Sequence, residues 1–362
     1  MPTIKDILNK MNVLAPTQIA YSWDNVGLML GDPNWEVKKI LLTLDVTPNA
    51  IKKAIDAGVD LIIAHHPFIF RPIKSVTDPK FISLIENRIG VISFHTNLDL
   101  VVGGVNTSLA KALGLTDWQP LATESGTEWL KFEMSIPEIH LDLMKEAINN
   151  AGGGRIGDYD NCSTTWDANV HFRPLKGSNP YSGTQGVISN NKVVKFTFMI
   201  EAFRRFSIES VIKSVHPYEQ PGYTITKVEN PVPTYSLGVI GKLEKPIPMN
   251  AFAKFVKAEL SAPSVKLWPA GKDADTLIST VAVCGGSGTS VLGKAIGRAD
   301  LLVTADLTYH TILDSPLPLI DAGHLYTEYP VLKSLENYLA EDTLEFSYLS
   351  LTEHEYSELR DI

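Results

Sequence analysis

Two adjacent imidazoles, His65 and His66, follow the apolar run Val59-Asp-Leu-Ile-Ile-Ala64 and precede Pro67. Inside a strand, neighbouring side chains point to opposite faces. Just past the strand end the backbone turns, and Pro67 forbids a plain helical continuation, so both rings can converge from one loop. Side by side they could each serve a separate metal ion, or form a hydrogen-bonded surface pair. His324-Leu-Tyr-Thr-Glu328 places an imidazole and a carboxylate at i and i+4, which is one face of a helix, with Thr327 expected to cap the entry. His95-Thr-Asn-Leu-Asp99 adds an anionic oxygen at Asp99. Its imidazole is either a further ligand or a group holding a ligand or substrate. Asp306-Leu-Thr-Tyr-His310 repeats the spacing with the acid first. It reads either as an acid–base histidine titrating near neutrality or as an Asp–His loop lock.

His65, His66, His324, Asp99 and Glu328 together make a nitrogen and oxygen donor set without thiolate. Such a set suits Zn, Mn, Fe, Co or Ni and disfavours a calcium cage. Five side chains fill two metal shells only when one carboxylate bridges, and the remaining positions fall to water. That is the composition of a two-metal hydrolytic centre. Cys162 and Cys284 lie 122 positions apart and form neither a disulfide framework nor a CxxC knuckle. Cys284, at the end of an apolar strand, reads as core. Gly285-Gly-Ser-Gly288 could cradle a phosphate with backbone N–H groups, or mark tight packing at a strand–helix turn. It matches neither GxGxxG nor a Walker loop, and Ser287 has no nucleophile-elbow context. Arg204, Arg205 and Lys213 form a modest basic cluster whose ordinary explanation is a solvated helix face.

The elements that must carry these residues alternate. A strand is predicted over 37–43, a helix over 48–57 ending before Gly58, a strand over 59–64, a helix over 80–87, a strand over 90–94 and a helix over 105–113. Continuous apolar runs between helices are what a parallel sheet covered on both faces requires, and ligands gather at the carboxyl ends of its strands. The last third repeats the grammar: a strand over 277–284, the glycine loop, a helix over 289–297, strands over 300–304 and 318–321, and a helix over 328–340. Gly58-Val-Asp-Leu-Ile-Ile-Ala-His-His parallels Arg298-Ala-Asp-Leu-Leu-Val-Thr-Ala-Asp, and His95…Asp99 parallels His324…Glu328. The parallel argues for an internal duplication around a shared cleft, against chance similarity of short α/β units. Between the halves the order strand, helix, strand, strand, helix, strand is that of a ferredoxin-like sandwich, with Pro231 and Pro233 as its exit hinge.

The 362 residues carry a net charge of −9, with 44% apolar and 20% charged side chains. Length favours two domains over one, and the composition is too apolar for a disordered chain. The acidic surface argues against nucleic acid as a partner. With no run of 18 apolar residues, no membrane span is expected, and the first residues read as a helix start rather than a leader. A cytoplasmic, reducing compartment is the expectation.

Assembled, the motifs resemble the NIF3 family, the GTP cyclohydrolase 1 type 2-like proteins. The resemblance runs through Trp23-Asp-Asn-Val-Gly-Leu28, Ala64-His-His-Pro67, His95-Thr-Asn-Leu-Asp99, Val283-Cys-Gly-Gly-Ser-Gly288, Asp306-Leu-Thr-Tyr-His310 and Asp321-Ala-Gly-His324 with Glu328. Ala305 departs from the glycine usual before the aspartate. The resemblance implies two divalent metal ions per subunit held by His65, His66, Asp99, His324 and Glu328, with Glu328 bridging and His95 and His310 lining the cleft in catalytic roles. It also implies an α/β fold: a duplicated core over 1–123 and 232–362 with a PII/CutA-like domain inserted at 124–231. That insertion carries Gly153-Gly-Arg-Ile-Gly-Asp-Tyr159, Phe172-Arg-Pro174, Gly177-Ser-Asn-Pro180 and His216-Pro-Tyr-Glu219. The expected assembly is a toroidal homohexamer, a trimer of dimers. The expected activity is metal-dependent hydrolysis of a nucleotide-like or phosphorylated small molecule. The alternative is a non-enzymatic regulatory or scaffold ring with structural metals and a ligand-sensing inserted domain.

Overall fold

A computed structural model of the chain describes residues 1–123, 128–157, 159–229, 235–340 and 344–358. It divides into two compact units, Met1–Glu124 with Tyr235–Ile362, and Ser125–Thr234. Pro231 and Pro233, read above as a hinge, lie outside the described residues.

The larger unit holds two sheets. In the first, Lys39–Thr43, Leu61–Ala64 and Gly90–Ser93 run parallel, and Gly27–Leu30 pairs antiparallel with Gly90–Ser93. Glu345–Tyr348 adds a parallel strand beside Lys39–Thr43. In the second, Leu277–Ser287, Leu301–Ala305 and Leu319–Asp321 run parallel, and Lys266–Trp268 pairs antiparallel with Leu319–Asp321. The long strand Ser236–Pro248 pairs antiparallel with Leu277–Ser287, and Thr116–Thr123 closes that edge. Both sheets therefore contain one antiparallel strand followed by three parallel ones in the same order.

The local chemistry explains the framework. Thr47 accepts a hydrogen bond from the Ala50 amide, Pro48 opens the helix Pro48–Ala57, and Gly58 ends it with φ +63°. These are the start and stop that helix termini favour. Leu41, Ile62 and Val91 from the strands pack with Ala50, Ile51, Ala54 and Leu84 from helices. Every residue of Leu61–Ala64 is buried, as a strand covered on both faces demands. Each buried Leu, Ile or Val among them contributes about 1.5–3 kcal/mol by burial, so the strand end that carries His65 and His66 is fixed in place. Among the described residues no helix is long and apolar enough to cross a membrane.

The smaller unit is a four-stranded antiparallel sheet. Its strands run Ser163–Phe172, Ser189–Glu201, Trp129–Ile136 and Tyr223–Val228 in spatial order. The helices Leu141–Asn150 and Arg205–Val215 share its core, with Met144, Ile148, Ile208 and Ile212 packed among Phe132, Phe196 and Phe198.

Several elements differ from the sequence reading. Gly285, Gly286 and Ser287 belong to the strand Leu277–Ser287 rather than to a loop. The predicted helix over 289–297 shrinks to a single turn, Thr289–Val291, and Leu292–Ala295. The helix over 328–340 is two helices, His324–Glu328 and Val331–Leu339, because Pro330 has no amide to continue the first. The strands Gly27–Leu30, Thr116–Thr123, Lys266–Trp268 and Glu345–Tyr348 were not anticipated. Each is short or exposed: Gly27–Leu30, Lys266–Trp268 and Glu345–Tyr348 span three or four residues, and Thr116–Thr123 buries only Leu121. Thr116–Thr123 even contains Pro120, which an edge strand tolerates.

Candidate metal centre

The carboxyl ends of the parallel strands deliver the site. His65 and His66 continue the ladder for one more step, the His65 amide donating to the Thr43 carbonyl (3.1 Å) and the His66 amide to the Leu44 carbonyl (2.8 Å). Their ring centroids nonetheless lie only 4.9 Å apart. His95 follows Gly90–Ser93 and heads the short helix Thr96–Asp99. Its ring centroid lies 5.3 Å from that of His65 and 5.6 Å from that of His66. His324 and Glu328 sit one turn apart on their own helix, with His324 Nε2 3.0 Å from Glu328 Oε1. The helix starts at Gly323, whose φ of +83° lets the chain turn sharply out of the strand.

Glu328 is the centre of the arrangement. Its Oε1 lies 3.5 Å from His65 Nε2, and its Oε2 lies 3.2 Å from His66 Nε2. Asp99 Oδ1 stands 3.6 Å from His65 Nε2. Among the described residues two groups of donor atoms, each within 4.8 Å, can hold a metal ion: His65, His66 and His95, and His66, His324 and Glu328. His66 belongs to both.

Each of the four imidazoles is oriented through its other nitrogen. His65 Nδ1 donates to the Phe94 carbonyl (2.9 Å), His66 Nδ1 to Asp45 (2.9 Å), His95 Nδ1 to Asp24 (2.9 Å) and His324 Nδ1 to Asp306 (2.6 Å). A carbonyl or carboxylate can only accept, so the proton stays on Nδ1 and Nε2 is the nitrogen left to meet a cation. This is the outer shell that metal-binding histidines require. Asp24 also takes the amide and hydroxyl of Thr96 (3.1 and 2.6 Å), which ties the turn carrying Asp99. Asp45 accepts a second imidazole, His354 Nε2, at 3.1 Å.

The electrostatics agree with a cation site. Burial works to raise the Glu328 carboxyl, but His65, His324 and His66 outweigh it and hold it well below its ordinary value. Asp99 goes the other way, pushed well above its ordinary value by burial and by Glu328. Burial opposes charge on His66 and His324, yet Asp45 and Glu328 raise the first to about 10, and Glu328 and Asp306 raise the second to about 9. Burial lowers His65. Burial also resists ionisation of Asp24, but His95 and Thr96 bring it down to about 2. Meanwhile His65 Nε2, Asp99 Oδ1 and Glu328 Oε2 are buried without a hydrogen-bond partner. Unsatisfied buried acceptors are costly, and a divalent cation among them removes that cost. The donor set fits such an ion.

The glycines at 285 and 286 make room for this cluster. A Cβ at Gly286, where φ is +60°, would stand 2.4 Å from Glu328 Oε1 and 3.0 Å from His324 Nε2. A Cβ at Gly285 would stand 2.4 Å from Val105 Cγ1. Tight packing, rather than a phosphate cradle, is what these glycines serve, and it continues to Gly288 at the turn into Thr289–Val291, where a Cβ would stand 2.3 Å from Thr304 Oγ1. Their amides are already used, Gly285 donating to Asn106 Oδ1 (2.9 Å) and Gly286 to Thr327 Oγ1 (3.0 Å). Thr327 therefore locks the helix to the strand and does not cap its entry.

The structure thus brings His65, His66, His95, Asp99, His324 and Glu328 together. His310 is exposed on the helix Tyr309–Asp314, its ring against Tyr309, and stands outside both donor groups. The Asp306–His310 lock is not made, because Asp306 is committed to His324 from a left-handed backbone at φ +54°. Ala305 is fully buried as the last residue of its strand. Cys284 is buried core, its thiol pushed up by burial. Asp24, Asp45 and His354 were missed by sequence reasoning. Asp24 lies inside the Trp23-Asp-Asn motif, and Asp45 two residues past a parallel strand, which was the available signal. Beside His95 lies an aromatic rim: Trp23 is 59% exposed, 6.1 Å edge-on from the His95 ring and 6.2 Å from Phe70.

Comparison with known proteins agrees with the motifs. The family description Duf34/NIF3 (NGG1p interacting factor 3) matches residues 2–355. A "GTP cyclohydrolase 1 type 2 homolog" of Halalkalibacterium halodurans is 36% identical over 320 residues, covering 86% of this chain and 85% of its own. One of Bacillus subtilis is 36% identical over 330 residues, covering 88% and 87%. Among solved structures, a Bacillus cereus protein related to NIF3 superposes with a TM-score of 0.77 at 30% identity, covering 96% of each chain. The chain belongs to the Duf34/NIF3 family.

Proposed function

We propose that the chain is a dinuclear metal-dependent hydrolase acting on a nucleotide-like or phosphorylated small molecule. The observation that carries the reading is the convergence of three Nε2 atoms, those of His65, His66 and His324, on the buried Glu328 carboxylate, each with its Nδ1 anchored, beside unsatisfied buried oxygens of Glu328 and Asp99. His65, His66, Asp99, His324 and Glu328 would hold the ions, with Glu328 shared between them because it approaches three imidazoles. Divalent ions there supply Lewis acidity and positive charge for hydrolysis. The protein's own part is positional: Asp45 and Asp306 hold His66 and His324, Asp24 holds His95 and the Asp99 turn, and Gly286 leaves the space. His95, bound to Asp24 and near His65 and His66, is the imidazole best placed to move a proton to or from substrate. The exposed ring of Trp23 beside it offers a flat surface for a substrate ring, which supports the nucleotide-like class, as do the relatives named GTP cyclohydrolase 1 type 2 homolog.

The same reading takes the larger unit as a duplicated core, supported by the shared strand order of its two sheets. It takes the smaller unit as ferredoxin-like, supported by its β-α-β-β-α-β order. Turnover screening of nucleotides and phosphorylated metabolites on metal-defined protein tests the hydrolase. His324→Ala is expected to lower bound metal and turnover together, and His95→Ala to lower turnover with metal retained. Full turnover after complete metal removal would contradict it.

A further inference from the structure

The smaller unit contains a cavity of about 620 Å³ that shares no residue with the metal-binding cluster. That volume lies within the roughly 300–1,000 Å³ range of small-molecule sites. Its wall includes Arg173, Lys176, Tyr181, Tyr218, Glu219 and Gln220. Arg173 and Lys176 sit on one turn, closed by the Ser178 amide donating to the Leu175 carbonyl (3.1 Å) and the Gly186 amide to the Pro174 carbonyl (2.8 Å). No ion pair to either cation occurs among the described residues, in a chain whose net charge is −9. Two unpaired cations on one wall select an anionic ligand, and Arg matches phosphate in particular.

The opposite chemistry sits beside them. The rings of Tyr181 and Tyr218 lie 5.8 Å apart, and Tyr181 is 47% exposed. Both are held in place. Tyr181 Oη pairs with His140 Nε2 at 3.2 Å. The Tyr218 amide donates to His216 Nδ1 at 3.0 Å, while His216 Nε2 donates to the Ser135 carbonyl at 3.0 Å. Fixed aromatic faces of this kind stack a flat ring at little entropic cost. Glu219, the sole acidic lining residue among the described residues, keeps one oxygen on the Asn179 amide (2.9 Å). Its other oxygen and the Gln220 side chain can accept from hydroxyl or amino groups.

We propose that this cavity is a second ligand site, independent of the metal-binding cluster, for a nucleoside monophosphate: phosphate on Arg173 and Lys176, base against Tyr181 and Tyr218, sugar or amino donors toward Glu219 and Gln220. The test is equilibrium binding of adenosine 5′-monophosphate to the full chain dialysed against chelator, with inorganic phosphate and adenosine as separate probes. Saturable binding at one site per chain is expected, tighter than either fragment. Arg173→Gln with Lys176→Gln is expected to weaken it about tenfold or more, equivalent to about 1.4 kcal/mol. Tyr218→Leu is expected to erase the preference over phosphate. Circular dichroism checks that each variant is folded. Absence of saturable binding, binding that requires the metal, equal affinity for phosphate, or an affinity unchanged in the double variant would each overturn the proposal.

Discussion

At the residue scale, the cluster works only if each imidazole keeps its Nδ1 proton and its orientation. Asp306 does this for His324 at 2.6 Å, and Asp45 for His66 at 2.9 Å. Replacing either carboxylate by an amide retains the shape and removes the charge that makes the imidazole a stronger donor. Asp306→Asn and Asp45→Asn are each expected to lower divalent metal affinity about 10–100-fold, read by competition with a chelating indicator. Unchanged affinity in both variants would mean the histidines do not serve as ligands. The candidate ligands themselves were legible because histidine pairs and i,i+4 spacings survive in one dimension. Their anchors were not: Asp24 lies 71 positions from His95, and Asp45 21 positions from His66, and no local pattern links such partners.

At the element scale, the strand Leu277–Ser287 and the helix His324–Glu328 touch through absent side chains. Gly286 has a left-handed φ of +60°, and a Cβ there would meet the buried Glu328 carboxylate at 2.4 Å. Gly286→Ala is therefore expected to cost about 1–2 kcal/mol in backbone strain alone and to displace Glu328. The measurements are melting temperature and metal content, and both are expected to fall. Gly293→Ala, where a Cβ would meet nothing within 4 Å, is the control that should retain metal. Helices bounded by Thr47, Pro48 and Gly58 were legible because caps are local. The strand Ser163–Phe172 is not legible in one dimension, because as an exposed edge it lacks buried alternation, and a glycine run reads as a loop when its packing partners are distant.

At the scale of the whole molecule, the uncompensated cluster sets how stability responds to pH. Without metal, His66 and His324 titrate near 10 and 9, above the ordinary 6.5. A folded value raised above the unfolded one gives stabilisation that is complete below about pH 6.5 and lost as pH rises through 9 to 10. Metal-free protein should therefore lose melting temperature across that window. Metal affinity should climb over the same range, since binding displaces those protons. A melting temperature flat from pH 6.5 to 10 in chelator would contradict the charged cluster. The α/β class and the parallel order of both ends were legible from unbroken apolar runs. The antiparallel strands Gly27–Leu30 and Lys266–Trp268 that complete each sheet are too short to announce themselves.

The most direct measurement is the number of divalent ions retained per chain after equilibrium dialysis, compared between the native protein and Glu328→Gln. The account predicts two tightly held ions in the native chain and loss of both tight sites when the shared carboxylate becomes an amide. A native chain that retains no divalent ion, or a Glu328→Gln chain that retains as many as the native one, would contradict it.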